Sequence, residues 1–182
     1  FLSADIARLI DIAEADANVE IPIQDKVPAN LQTPDWTSLT MRTRVIYAHN
    51  KLNLNEISYE DLVKPEYKGK VCTRSGFHPY NVSLFSGLIA HHGEEWFEDY
   101  IVKLKANLAR KPQGNDRDQI KAIYAGVCDL SIGNHYYYFK MMDHPNQKVW
   151  LEKVSPIFPN QDSYGSHVNI SGIAIINDKN YE

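Results

Sequence analysis

Two short apolar stretches, Lys70-Val71-Cys72 and Val127 to Ile132, read as strands, and each is followed by a tyrosine and then by a helical pattern. Strands alternating with helices imply an α/β sheet, in which ligands bind beyond the carboxyl ends of the strands. Tyr80 follows the first strand and Tyr136 the second, so both are expected at such ends.

The remaining pattern fits this class. Apolar Ile6, Leu9, Ile10 and Ala13 have helical spacing within Ala4 to Ala15, with Asp5 as N-cap. Residues 18–38 are broken by Pro22, Pro28 and Pro34 and read as an irregular connection. Leu39 to Ala48 reads as a strand carrying Arg42 and Arg44. Ser58 to Leu62 reads as a short helix start capped by Ser58 or Asn55. Asn81 to His91 forms an apolar helix opening just after Tyr80, which is expected on a loop. Glu94 to Asn107 is a second amphipathic helix. Asp116 opens a third, running to Ala125, where an acid suits the helix dipole. Gly126 fits its C′ position. A helix over Tyr138 to Met142 follows the second tyrosine site. Ile170 to Ile176 is a near-continuous apolar strand, as buried sheets prefer.

The run Gly133-Asn134-His135-Tyr136-Tyr137-Tyr138 sets three phenols side by side. Adjacent residues on extended backbone point to opposite faces, so a buried strand would rarely want all three. A turn or helix start can aim two of them at one point. Tyr is also a common half-buried residue, and on pattern alone the run reads equally as packing or as a sugar- or peptide-contacting surface. A phenolate is a hard, anionic oxygen donor that suits a hard cation, which makes ferric iron the leading ligand.

Composition narrows the function classes. The chain has 182 residues, enough to bury a real core, and its 43% hydrophobic and 23% charged content is that of an ordinary globular protein. A net charge of −4 carries no nucleic-acid footprint. No apolar run approaches the roughly 20 residues that span a bilayer. No signal-peptide pattern opens the chain, and Phe1 to Asp5 reads as the end of a strand entering a helix, as in a mature or trimmed piece.

The two cysteines, Cys72 and Cys128, lack the spacing of a zinc site. They read either as two buried thiols or as a disulfide joining the segments that carry the tyrosines.

Five segments carry a family resemblance: Lys64 to Cys72, Tyr80 to Phe85, Ala106 to Gly114, Asp116 to Gln119 and Ser131 to Tyr138. Together they strongly resemble the bacterial periplasmic ferric-ion-binding proteins, the substrate-binding components of iron ABC transporters. The resemblance spans roughly residues 1 to 178. It implies a type II periplasmic-binding-protein fold whose two lobes close over Fe³⁺, like half of a transferrin. The implied division is a partial first lobe over 1–40, a complete second lobe over 41–170, and a strand returning to the first lobe over 171–182. By the same resemblance Tyr80, Tyr136 and Tyr137 match the three tyrosine ligands, while Tyr138 matches a neighbour that is not usually one. Arg42 matches the arginine that holds a synergistic anion, carbonate or bicarbonate or another, and Arg44 reads as structural. The implied chain is a periplasmic monomer that hands iron to an inner-membrane ABC permease. Its signal peptide is not present in this sequence, and any lipid anchor was lost with it. Family chains run longer at both ends. The opening strand of the first lobe, which adds a His and a Tyr ligand in some members, is absent, as is the helical part after Glu182. The linker around Ala17 to Val27 is shorter than the family pattern.

Other candidates carry less. His78 shares a face with Tyr80 on extended backbone, and His135 adjoins the tyrosine pair, so each reads either as an additional metal or anion contact or as a solvated loop histidine. His91 and His92 end a helix and read as surface. Asn81 and Asn169 open glycosylation sequons but lie within motif or strand segments. No nucleophile elbow, zinc-protease motif, P-loop or dinucleotide fingerprint appears, and Asp116 with Asp118 reads as a capping pair, so an enzyme is not expected. The alternative is a periplasmic binding protein whose Tyr-lined cleft holds a polyamine, sugar or amino acid.

Overall fold

The computed structural model describes residues 1–15, 18–19 and 26–176. The chain divides into two compact units, one of Phe1–Arg42 with Val168–Glu182 and one of Thr43–His167. Strand β3 (Thr37–His49) contributes its first residues to the former and the rest to the latter.

The first unit contains β1 (Leu2–Ser3), α1 (Ile6–Glu14), β2 (Asn18–Val19), β7 (Val168–Ile173) and β8 (Ile175–Ile176). The Asp5 carboxylate caps α1 by accepting the Ala7 N–H at 3.0 Å, as its sequence position predicts. The apolar stripe of α1 buries Leu9 against Trp36, Ile170 and Ala174. Strand β1 runs antiparallel to β7, and β2 antiparallel to β8. The expected continuous strand from Ile170 to Ile176 is interrupted. Ala174 leaves the ladder, and its N–H bonds the Phe1 carbonyl at 2.9 Å. Within the expected irregular stretch, Asn18 and Val19 pair as a strand; position 17, positions 20–25 and the tail after Ile176 lie outside the described residues.

The second unit holds β4 (Val71–Cys72), α2 (Pro79–His92), α3 (Glu94–Asn107), α4 (Asp116–Tyr124), β5 (Leu130–Asn134), α5 (His135–Met142) and β6 (Val154–Ile157). Strand β5 lies antiparallel to β3, with Ile46 opposite Ile132, and parallel to β4, with Val71 opposite Leu130. Strand β6 pairs antiparallel with β3. Side chains alternate between two cores, as the strand period of two demands. Ile46, Ala48, Val71, Leu130 and Ile132 face one apolar cluster with Leu84, Leu88, Tyr100 and Leu104 of α2 and α3. Val45, Tyr47 and Cys72 face the other, with Ile120 and Ile123 of α4 and Met141 of α5. The result is a sheet with helices on both faces.

Cys72 and Cys128 are joined as a disulfide, with Cα atoms 5.9 Å apart. The bridge ties β4 to the segment entering β5. Near the chain's 3₁₀ turn at Glu60–Val63, Ser58 and Asp61 exchange hydrogen bonds, the Asp61 N–H donating to Ser58 Oγ at 3.1 Å and the Ser58 N–H to Asp61 Oδ2 at 2.8 Å. His92 departs from its expected surface role. Its ring stacks on Trp96 at 4.0 Å, and Nε2 lies 2.8 Å from Glu60 Oε1.

Candidate metal centre

Because β4 and β5 are parallel neighbours, their carboxyl ends lie at one edge, and the helices that follow them start there. Both tyrosine sites differ locally from expectation in the same way: the helices begin earlier. Pro79 takes the first position of α2, where its missing N–H is no loss and its φ is already helical. Tyr80 therefore stands in the first turn of α2 and not on a loop. His78 is the N-cap, its Nδ1 accepting the Tyr80 N–H at 3.2 Å. Helix α5 starts at His135, three residues before the expected Tyr138, so the tyrosine run fills its first turn. Successive helical residues differ by about 100° around the axis. Tyr136 and Tyr137 thus fan out together, with ring centroids 4.3 Å apart, while Tyr138 turns away and donates its hydroxyl to the Val154 carbonyl at 3.1 Å.

The three remaining phenols converge. The Tyr136 hydroxyl interacts by hydrogen bonding with both Tyr137 and Tyr80, and the Asn134 side-chain amide reaches it at 3.5 Å. All three tyrosines are half-buried. Burial raises the Tyr136 phenol above its ordinary value, the hydrogen bond with Tyr137 raises it further, and those with Tyr80 and Asn134 oppose the rise. In the metal-free protein this phenol keeps its proton at neutral pH, so a metal must displace it. Two helix N-termini, of α2 and α5, carry the phenols, and their dipoles favour the anionic form.

Two histidines adjoin the cluster. His78 packs edge-on to Tyr80 at 4.7 Å, and burial, together with nearby Arg74, lowers its pKa. His135 lies 5.9 Å from the Tyr136 ring, and its Nδ1 accepts the Thr43 N–H at 3.2 Å. In both, Nδ1 is an acceptor from the backbone, so the neutral ring carries its proton on Nε2. Arg42 belongs to the first unit. There it is buried, donates to the Ala4 carbonyl and lies 3.6 Å from Asp5 Oδ2.

Beneath the phenols lies a buried polar network. Arg44 donates to Asp116 Oδ2 at 2.9 Å, to Asn134 Oδ1 at 3.0 Å and to Asn81 Oδ1 at 2.6 Å. Arg74 donates to Asp116 Oδ1 at 2.9 Å. The Asn134 N–H donates to Asp116 Oδ2 at 2.8 Å. The Asp116 side chain is fully buried. A lone buried carboxylate is very unfavourable, and two guanidinium partners are what make this one tolerable. The guanidinium carbons of Arg44 and Arg74 lie 5.9 and 5.2 Å from the Tyr80 ring centre, within cation–π range. Arg117 lies over Tyr137 at 5.6 Å and Lys140 over Tyr136 at 5.4 Å, so every phenol ring of the cluster has a cation beside it. Nothing in the sequence pattern marks Asp116, Arg74, Asn81 or Asn134 as part of the site. Among the described residues no three His, Cys, Asp or Glu side chains form a metal-binding group. Nor is any helix among them long and apolar enough to cross a membrane.

No protein-family model matches the chain. The chain is 40% identical to iron uptake protein A1 of Synechocystis sp. over 190 aligned positions, which cover 96% of the chain and 51% of that protein. Its fold superposes on the apo ferric ion-binding protein A of Pasteurella haemolytica with a TM-score of 0.90 and 47% identity, covering 97% of the chain and 58% of that structure. A Trichodesmium protein, solved in complex with iron and citrate, matches with a TM-score of 0.88 and 36% identity, again over 97% of the chain and 58% of that structure. The chain thus spans about half the length of the curated relatives it matches. It has the α/β periplasmic-binding-protein fold of these structures, over part of their lobes. On this identity and this fold, the chain matches bacterial ferric-ion-binding proteins over about half of their length.

Proposed function

We propose that this chain binds Fe³⁺ through the phenolates of Tyr80, Tyr136 and Tyr137 and transports the ion without catalysing a reaction. The observation that carries this reading is the convergence of those three hydroxyls at the shared edge of two parallel strands. Three phenolates neutralise the charge of one ferric ion, and hard oxygen donors suit it. A synergistic anion, carbonate or bicarbonate or a related species, completes the coordination; Arg42, matched to that anion by resemblance, lies in the first unit. His78 and His135 stand beside the ligands as additional contacts, each able to donate its Nε2–H to the bound anion. The iron is delivered, in the periplasm, to an inner-membrane ABC permease by a monomeric carrier. These roles rest on the family to which the relatives belong.

In lobe terms, residues 1–40 are part of a first lobe, 41–170 the iron-bearing second lobe, and 171–182 the strand returning to the first. The compact units support this division, with boundaries at Arg42–Thr43 and His167–Val168. The organic-ligand alternative is not favoured, because the relatives are iron-uptake and ferric-binding proteins.

The test is a titration of the metal-free chain with ferric nitrilotriacetate and bicarbonate near neutral pH. The expected result is a visible phenolate-to-iron band that saturates at one iron per chain. A folded chain that develops no band refutes the reading.

A further inference from the structure

We propose that Asp116 is the positioning residue of the tyrosine site, holding its two separate helix starts in register through its two carboxylate oxygens. The proposal rests on the reading of the three phenols as iron ligands and adds a residue that touches none of them. One oxygen, Oδ2, accepts the backbone N–H of Asn134, which sits at the N-cap position of α5 and immediately precedes the His135-Tyr136-Tyr137 turn. The same oxygen accepts Arg44, which reaches on to Asn81 in the first turn of α2. The other oxygen, Oδ1, accepts Arg74, whose guanidinium lies over the Tyr80 ring.

Asn81 adds a second arm. Its amide donates to Thr73 Oγ1 and to the carbonyls of Arg74 and Ser75, so the loop between β4 and α2 is sewn to the same network. One path from Tyr80 to Tyr136 thus runs through this fully buried carboxylate, beside the one in which Arg44 bridges Asn81 and Asn134 directly. Such a network has discrete geometry, because each donor leaves its partner only at the expense of an unpaired buried group. Metal-site residues held this way keep their productive geometry before the metal arrives.

Asparagine at this position keeps the shape and removes one acceptor. Its NH₂ must face either Arg74 or the pair of donors from Arg44 and Asn134, a donor against donors. Asp116→Asn should therefore displace one helix start relative to the other. The first readout needs no iron: tyrosine ring ¹³C–¹H NMR of the metal-free chain, assigned by Tyr→Phe variants. The ring signals of Tyr80, Tyr136 or Tyr137 should move, while that of Tyr164 stays. The second readout is ferric affinity by competition with nitrilotriacetate, expected to fall about 10- to 100-fold, as for other residues that orient metal ligands. Leu104→Ala, a core truncation on α3, serves as the matched destabilised control and should retain affinity.

Should Asp116→Asn fail to fold, Arg74→Gln removes a single arm. It should move the Tyr80 signal and lower iron affinity in the wild-type background, but change little in a Tyr80→Phe background. Unmoved ring signals in a folded Asp116→Asn chain, or an Arg74→Gln penalty equal in both backgrounds, would overturn the proposal. A wild-type chain that develops no iron band would refute the iron reading alone, since the NMR readout still decides whether Asp116 sets the register.

Discussion

The Tyr47 ring fills the space that a side chain at Gly133 would need. A Cβ built on Gly133 would lie far inside contact distance of Cε2 of Tyr47. The Tyr47 hydroxyl, on the same ring, donates to the Asn134 carbonyl at 2.6 Å and so helps fix the start of α5. The glycine before the tyrosine run is there for this close approach. Gly133→Ala should destabilise the chain by about 1–3 kcal/mol through overpacking. It should also weaken iron binding, because the displaced ring pulls on the residue preceding the ligand turn. Thermal unfolding and a ferric titration of the variant check both parts; a variant of wild-type stability would contradict the packing argument.

The two neighbouring tyrosines Tyr137 and Tyr138 should behave oppositely. Tyr137→Phe removes a hydroxyl from the cluster, and should lower the iron band and weaken binding by at least about tenfold. Tyr138→Phe removes a hydrogen bond to Val154. It should lower stability by about 1 kcal/mol and leave the band intact. Visible absorbance of the two ferric-loaded variants separates these outcomes, and a band lost in Tyr138→Phe would put the ligand assignment in error.

The Cys72–Cys128 bridge closes a loop with a sequence separation of 56. On the chain-entropy argument, such a cross-link contributes about 4 kcal/mol by restricting the unfolded chain. The double variant Cys72→Ala/Cys128→Ala should lose stability of that order in urea unfolding. Both cysteines of the bridge are buried, so dithiothreitol should act on the native protein only slowly. Rapid reduction without loss of stability would be inconsistent with this account.

Acid should act on Glu60. Its burial alone would raise its pKa, but hydrogen bonds from Tyr164 at 2.5 Å and Asn160 at 2.8 Å, with His92, outweigh burial and hold the carboxyl below its ordinary value. The folded pKa is therefore lower than the unfolded one. The resulting stability is present above the unfolded carboxylate value and disappears as pH falls through the folded value. Glu60→Gln should lower stability near neutral pH by on the order of 1 kcal/mol given the partial exposure, read as a lower melting temperature. The gap from wild type should close as the medium is acidified. A gap that widened in acid would reverse the sign of the argument.

Much of the fold is legible in residue periodicity. Helices α1 and α3 sit where their apolar spacing places them, and the strand around Val45 to Tyr47 alternates between two cores as its pattern requires. The convergence of Tyr80 with Tyr136 follows from strands that end in ligand loops, once β4 and β5 are neighbours. Other parts were not legible. Pro79 was the signal that Tyr80 opens a helix, but His78 is not a residue type that usually caps one, so the helix start was hidden. Asp116 looked like an ordinary acid at a helix N-terminus, a position that needs no partner. Only the packing of α4 against β5 turns its carboxylate inward to two arginines. The break at Ala174 was equally silent, because an apolar run says nothing about where its ladder partner changes.

The descent from strand end to ligand is short on both arms. Tyr80 lies eight residues after Cys72, tied by its disulfide to the segment entering β5, and Tyr136 only two after the last residue of β5. With so little slack, the donors require no chain rearrangement before the ion arrives. Capture should then be paced by ligand exchange at the incoming iron. Stopped-flow rates should track how readily the donor chelate releases the ion, and be nearly indifferent to solvent viscosity.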